Sequence, residues 1–207
     1  MVACGSLWVP LFLSRYHSLI MSTGHRILWI NGILHRDISP SNLMVYKNAN
    51  NEWIGVLNDY DLSSTQQDGP SGNERTGTIP FMAIDLLEDE AIEGKVQHLY
   101  QHDAESLIWV LAWVCLRYED GKLRSNRPLD EWLKVDAKQC REKKNDFLNS
   151  GRRKAQPSPS HEAAWDIAEY CFVHVGSLYL ARRKPTLEDG YVYSTWLEAE
   201  VKPRLEN

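Results

Sequence analysis

The chain has 207 residues, is 43% apolar and 25% charged, and carries a formal net charge of −5, which is the make-up of one ordinary globular domain. There is no basic excess to neutralise phosphates, and no apolar run reaches the roughly 18 residues a membrane helix needs, so neither nucleic acid nor a membrane is expected as a partner. Cys4, Cys115, Cys140 and Cys171 are widely spaced and form no C-x-x-C pair; they read as reduced thiols of a cytoplasmic or nuclear protein.

Residues 1–14 show no clean period and read as an atypical leader. Leu7 to Leu13 (LWVPLFL) is apolar but short, holds Pro10 and has no basic residue before it, so a signal peptide is not expected. From Ser14 to Ile30 the apolar positions Tyr16, Leu19, Ile20, Ile27 and Ile30 suit an amphipathic helix, which Gly32 ends. A short strand follows and enters a loop at His35. Leu43–Tyr46 and Ile54–Leu57 are apolar runs flanking an Asn-rich polar stretch, the pattern of a β-hairpin. Asp59 to Gly77 is polar and rich in turn signals, so it is expected to be a loop. Helices dominate from Ile84 onward. Asp103 to Tyr118 is hydrophobic nearly all round and should be a buried central helix. Leu129 to Phe147 reads as a charged amphipathic helix, Asn149 to Ser160 as a basic, Pro/Ser-rich loop, Ala163 to Val175 as a helix, and Leu187 to Leu205 as a last one. The eight tryptophans are expected in the core.

Chemistry concentrates in four segments. His35-Arg36-Asp37-Ile38-Ser39-Pro40-Ser41-Asn42 sets an aspartate and an asparagine five positions apart behind His-Arg. After the hairpin comes Asn58-Asp59-Tyr60-Asp61-Leu62-Ser63. Gly77-Thr78-Ile79-Pro80-Phe81-Met82-Ala83-Ile84-Asp85 follows, and His102-Asp103-Ala104-Glu105-Ser106 opens the apolar helix. Their order and spacing match the protein-kinase catalytic loop, metal-binding Asp segment, Gly-Thr segment and loop-anchoring Asp. The wording of the four segments resembles the fungal-type protein kinase family, in which the catalytic Asp is followed by Ile-Ser and Asp-Phe-Asp commonly replaces Asp-Phe-Gly. The resemblance covers about residues 15–200, with a catalytic loop at 35–42, an activation segment at 59–85 and a tail at 201–207.

It implies a mainly α fold with a small β-hairpin, the C-terminal lobe of a protein kinase with its N-terminal lobe missing. It also implies ATP and Mg²⁺ as ligands and protein hydroxyls as acceptors, serine or threonine ahead of tyrosine. Asp37 would orient and deprotonate the attacking hydroxyl. Asn42 and Asp59 would supply oxygen ligands to Mg²⁺. Arg36 would pair with a phosphate on the loop from Ser63 to Thr78, where Ser63, Ser64, Thr65, Ser71 and Thr76 are candidate acceptors. Thr78 would bond Asp37 and shape the substrate pocket with Pro80 and Phe81. His35 and Asp103 are expected to be structural, and His102 is not expected to ligate a metal.

Three positions depart from the family pattern. Ser39 stands where many serine/threonine kinases have a phosphate-touching Lys. Asp61 replaces a Gly and is expected either to stiffen the switch of its loop or to add a second carboxylate near the metals. Asp85 replaces Glu, with Lys184 or Arg183 as its expected partner. No Gly-rich loop, strand lysine or helix glutamate precedes His35, so this chain alone is expected to be a weak or inactive catalyst with an exposed face open to association. The alternatives are a pseudokinase-like fragment that binds partners and, less favoured by Arg36 and the Gly-Thr segment, a small-molecule phosphotransferase.

Overall fold

The computed structural model describes residues 25–51, 53–65 and 77–180. The expected leader, the helix expected at Leu187 to Leu205, Ser71, Thr76, Arg183 and Lys184 lie outside them. The described part is mainly helical with small antiparallel sheets.

Residues 25–30 are helical (α1). Gly32, at φ 82°, closes the helix by donating its amide to Trp29 O at 2.8 Å. The buried side of α1 is not the one expected from its isoleucines. Ile27 and Ile30 are 55% and 59% exposed, whereas His25 and Trp29, one turn apart, are at 0% and 5%. His25 stacks on Tyr100 at 4.8 Å and Trp29 packs against the same ring at 4.5 Å, so aromatic stacking decides which face turns inward.

Strand β1 (Ile33–Leu34) pairs antiparallel with β4 (Ser64–Thr65), so the stretch expected to be loop from Asp59 to Gly77 contains a short strand. Between them β2 (Leu43–Lys47) and β3 (Trp53–Leu57) form the expected hairpin, in register from Leu43↔Leu57 to Lys47↔Trp53. Met44, Tyr46, Ile54 and Val56 share one face of this hairpin, and Tyr46 and Val56 are exposed on it.

A short helix, α2 (Asp89–Ile92), precedes α3 (Tyr100–Arg117), the central helix. Every residue of α3 except Leu107 is buried, as its all-round hydrophobicity requires. A second hairpin, β5 (Tyr118–Glu119) with β6 (Lys122–Leu123), was not expected. Its turn residues, Asp120 at φ 48° and Gly121 at φ 78°, are the Asp-Gly pair that a tight two-residue turn selects.

The single helix expected from Leu129 to Phe147 is split. Leu129 is left-handed at φ 70°, a 3₁₀ turn spans Asp130–Leu133, and α4 (Ala137–Asn149) starts only after Asp136, whose carboxylate accepts from Gln139 N at 2.8 Å. The break follows from Arg117, buried on α3. Its guanidinium lies over Trp113 and holds both Pro128 O and the Asp130 carboxylate, fixing the 3₁₀ turn at an angle that α4 cannot continue. Helix α5 (Glu162–Leu180) ends the described chain and packs on α3.

The core lies between α3, α4 and α5. Trp109 meets Phe172 at 4.8 Å, Trp132 at 5.4 Å and Phe147 at 6.1 Å, within the spacing where ring pairs add about 0.5–1.5 kcal/mol beyond area burial. Trp29, Trp109, Trp113, Trp132 and Trp165 are all buried, as expected. Cys115, Cys140 and Cys171 are buried, and among the described residues no helix is long and apolar enough to cross a membrane.

Candidate functional site

The site is assembled on Asp103, near the start of α3. Its carboxylate is 1% exposed and receives four donors. His35 N reaches Oδ2 at 2.8 Å and Arg36 N reaches Oδ1 at 3.1 Å; His98 Nε2 lies 2.8 Å from Oδ1 and His25 Nε2 3.4 Å from Oδ2. Burial alone would raise the pKa of this acid. The charges and hydrogen bonds of His98 and His25 win, and hold it well below the usual carboxylate range. The two bonded amides fix the loop at Arg36, whose φ of 71° is sparsely populated for a residue with a side chain.

His35 is 1% exposed, with Nε2 bonded to Asn58 O at 3.0 Å and Nδ1 accepting from Asp37 N at 3.4 Å. Both ring nitrogens therefore hold backbone, matching the structural part expected of it. His102 likewise accepts from Leu99 N at 3.0 Å through Nδ1, at the start of α3.

Asp37 follows Arg36. Its Oδ1 accepts from Thr78 N at 3.0 Å and Thr78 Oγ1 at 2.9 Å, and its Oδ2 from Asn42 Nδ2 at 3.0 Å. The same Asn42 nitrogen donates to Asp37 O at 2.9 Å. Pro40 opens the single 3₁₀ turn, Pro40–Asn42, that brings Asn42 back to Asp37. With both amide hydrogens directed at Asp37, Asn42 keeps Oδ1 as its coordinating atom. Asn58 N donates to Asn42 O at 2.8 Å, extending the β2–β3 ladder and setting Asp59 one residue beyond Asn42's partner. Asp59 is exposed and left-handed at φ 63°.

Asp61 is not among the left-handed residues. The unusual backbone of this loop sits at Asp59. Ser39 is 1% exposed and shares a 2.7 Å hydroxyl bond with Ser41, so it does not replace the missing lysine. Arg36 is half-buried, and Ser63 and Thr65 are exposed.

Behind Thr78 lies a cluster that sequence reading missed. Glu105, on α3, accepts from Ile84 N at 3.0 Å and Trp109 Nε1 at 2.8 Å through Oε1, and from the Tyr179 hydroxyl at 2.7 Å through Oε2. Lys144, on α4, is 0% exposed, donates Nζ to Met82 O, and sits 4.5 Å over the Trp109 ring. Burial pulls Lys144 down to about 8, against the raising effects of Cys140 and Glu105; burial raises Glu105 despite its hydrogen bonds. Asp85 is pushed up to about 7 by burial and by the charges of Glu105 and Glu88, with Arg141 pulling the other way. Its expected partners lie outside the described residues, and what reaches its backbone is Tyr179, whose hydroxyl accepts from Asp85 N at 3.3 Å. The one available signal was Lys144's spacing from Cys140 and Phe147, which puts it on the apolar side of α4.

Among the described residues, no group of three or more His, Cys, Asp or Glu side chains could hold a metal ion. The oxygens of Asn42 and Asp59 are hard donors of the kind Mg²⁺ takes one or two at a time, keeping its remaining positions for water and phosphate, so the residues present fit that ion.

Residues 20–115 match the family model described as Fungal protein kinase. The matched segment holds Asp37, Asn42, Asp59, Thr78 and Asp103 and ends inside α3; it supports the fungal-type protein kinase family to which the motifs pointed. No curated protein matches the chain.

Proposed function

We propose that this chain, placed with the fungal-type protein kinases by its motifs and by the match over residues 20–115, carries the acceptor-side catalytic machinery of a protein kinase acting on serine or threonine hydroxyls. The observation that carries the reading is the convergence of Thr78 and Asn42 on Asp37. These donors hold one carboxylate rigidly at a half-buried position, and positioning is most of what phosphoryl transfer asks of a protein.

In this reading Asp37 accepts the hydroxyl proton. Thr78 fixes Asp37 and borders the acceptor pocket with Pro80 and Phe81. Asn42 Oδ1 and the Asp59 carboxylate would hold Mg²⁺, which on binding neutralises charge on the ATP phosphates. Arg36 would meet a phosphate on the loop that follows Ser63. We also propose a kinase-like C-terminal lobe for residues 15–200, a cytoplasmic or nuclear setting, and association through the hairpin face that exposes Tyr46 and Val56. A polypeptide of these 207 residues alone would be weak or inactive, since residues 1–34 contain neither a Gly-rich loop nor a strand lysine to cover the nucleotide.

A second reading, a pseudokinase-like partner-binding fragment, draws on the buried, Ser41-bonded Ser39 in place of the phosphate-touching lysine. Calorimetric titration of the chain with ATP and Mg²⁺ separates the two. Binding that is lost in Asp59→Ala supports the kinase reading. No binding at millimolar nucleotide leaves the partner-binding one.

A further inference from the structure

Two buried, oppositely charged side chains hold the backbone between Thr78 and Asp85 two residues apart. Lys144 takes Met82 O and Glu105 takes Ile84 N. They come from different helices, and each is fixed by other partners: Lys144 by the faces of Trp109 and Trp132 at 4.5 and 5.6 Å, Glu105 by Trp109 Nε1 and the Tyr179 hydroxyl. The same backbone is relayed to Thr78, because Phe81 N donates to Thr78 O at 2.8 Å and Met82 N to Ile79 O at 3.3 Å. Cys140, one turn before Lys144, adds a 3.9 Å thiol contact to Ile79 O.

Lys144 and Glu105 each bond to backbone rather than to the other, so each satisfies a buried polar group of the segment. What the pair supplies is geometry: one donor and one acceptor at fixed points on a short, irregular segment that otherwise has few backbone partners. We infer that Lys144 and Glu105 are positioning residues that clamp the 78–85 segment, holding Thr78 on Asp37 and setting the shape of the pocket that receives the acceptor peptide. This rests on the kinase reading for its consequence in catalysis, but not for the clamp itself.

The test uses the whole 207-residue chain with Lys144→Met, which keeps volume and removes the donor, and Glu105→Gln, which keeps the acceptor oxygen and removes the charge. Three quantities are read: amide hydrogen exchange residue by residue, the thermal midpoint, and ATP–Mg²⁺ binding. In Lys144→Met the clamp predicts exchange faster by roughly tenfold or more at Thr78, Phe81 and Ile84. Amides of α5 would be unchanged, the thermal midpoint would fall because Met82 O loses its buried donor, and nucleotide binding would be that of the parent chain. Glu105→Gln should show a smaller acceleration confined to the same three amides. If the variants speed exchange evenly through α3, α4 and α5, the two side chains are ordinary core and the clamp is overturned. Unchanged exchange at all three amides in both variants overturns it equally. Absence of ATP binding in the parent chain would sink the kinase reading while leaving the exchange result to decide the clamp.

Discussion

Asp37 and Thr78, separated by 41 positions, are joined twice on one oxygen: the Thr78 amide at 3.0 Å and its hydroxyl at 2.9 Å both donate to Asp37 Oδ1. Thr78→Val removes the hydroxyl and keeps the shape. It should cost about 1 kcal/mol of stability, the net worth of one hydrogen bond at a half-open site, read as a shift in the urea midpoint at constant slope. Thr78→Ser should restore most of it. ATP–Mg²⁺ binding by the Val variant should equal that of the parent chain, and a loss of binding would count against the arrangement.

Asp103 gathers four donors at a buried position. Asp103→Asn replaces one acceptor oxygen by a donor that faces donors, and should cost about 3 kcal/mol or more. The sign of its pH dependence follows from the depressed pKa. The wild-type contribution is fully present above the unfolded value near 3.9 and is lost as pH falls through the lower folded value. The gap between wild type and Asp103→Asn in urea should therefore narrow as pH falls from the unfolded value into strong acid. A gap that widened in strong acid would overturn this account.

Asp85 behaves in the opposite sense. Its pKa is raised to about 7, so the folded chain binds a proton that the unfolded chain has released, and stability falls as pH rises from about 4 to 7. Asp85→Asn should be nearly neutral near pH 4 and stabilising at pH 8. The expected gain at pH 8 is on the order of 2 kcal/mol, below the roughly 4 that a three-unit shift gives a group wholly kept from water. Thermal midpoints of the two proteins at both pH values decide it, and a gain of equal size at pH 4 would contradict it.

Gly77, at φ 137°, precedes Thr78, and a Cβ there would lie 3.4 Å from Arg36 O and 3.6 Å from the Met82 side chain. The space is nearly sufficient, but the backbone angle is not one that side-chain-bearing residues adopt readily. Gly77→Ala should cost about 1–2 kcal/mol and speed exchange at the Thr78 amide more than at Leu57. Uniform acceleration of both would place the strain elsewhere.

The β2–β3 hairpin and α3 were legible because their signals are local: two apolar runs around an Asn-rich turn, and sixteen residues with hardly a polar face. Asp37, Asn42 and Thr78 were singled out through the resemblance of several ordered motifs to protein-kinase segments, and the structure brings them within hydrogen-bond distance. The division at Asp136 was not, because it depends on Arg117 reaching Pro128 and Asp130 from another helix. The β5–β6 turn had its signal in Asp120-Gly121, but the polar residues around it lack the alternation that marks strands. Lys144 was illegible for a different reason. A lysine on a charged helix reads as solvated, and only the rings of Trp109 and Trp132 make it a buried ligand for backbone. The inward face of α1 was misjudged because stacking on Tyr100 outweighed the isoleucine pattern.

Ser158 lies in the basic, Pro/Ser-rich stretch from Asn149 to Ser160, behind Arg152, Arg153 and Lys154 and ahead of Pro159. In the fold its side chain is 0% exposed, its amide is bonded to Cys115 O at 3.0 Å, and its hydroxyl lies 2.6 Å from His161 Nδ1. An enzyme meeting the finished molecule finds no hydroxyl to attack. A phosphate at this serine would therefore be a time-stamp, recording that the chain was open when it was modified, during synthesis or after unfolding.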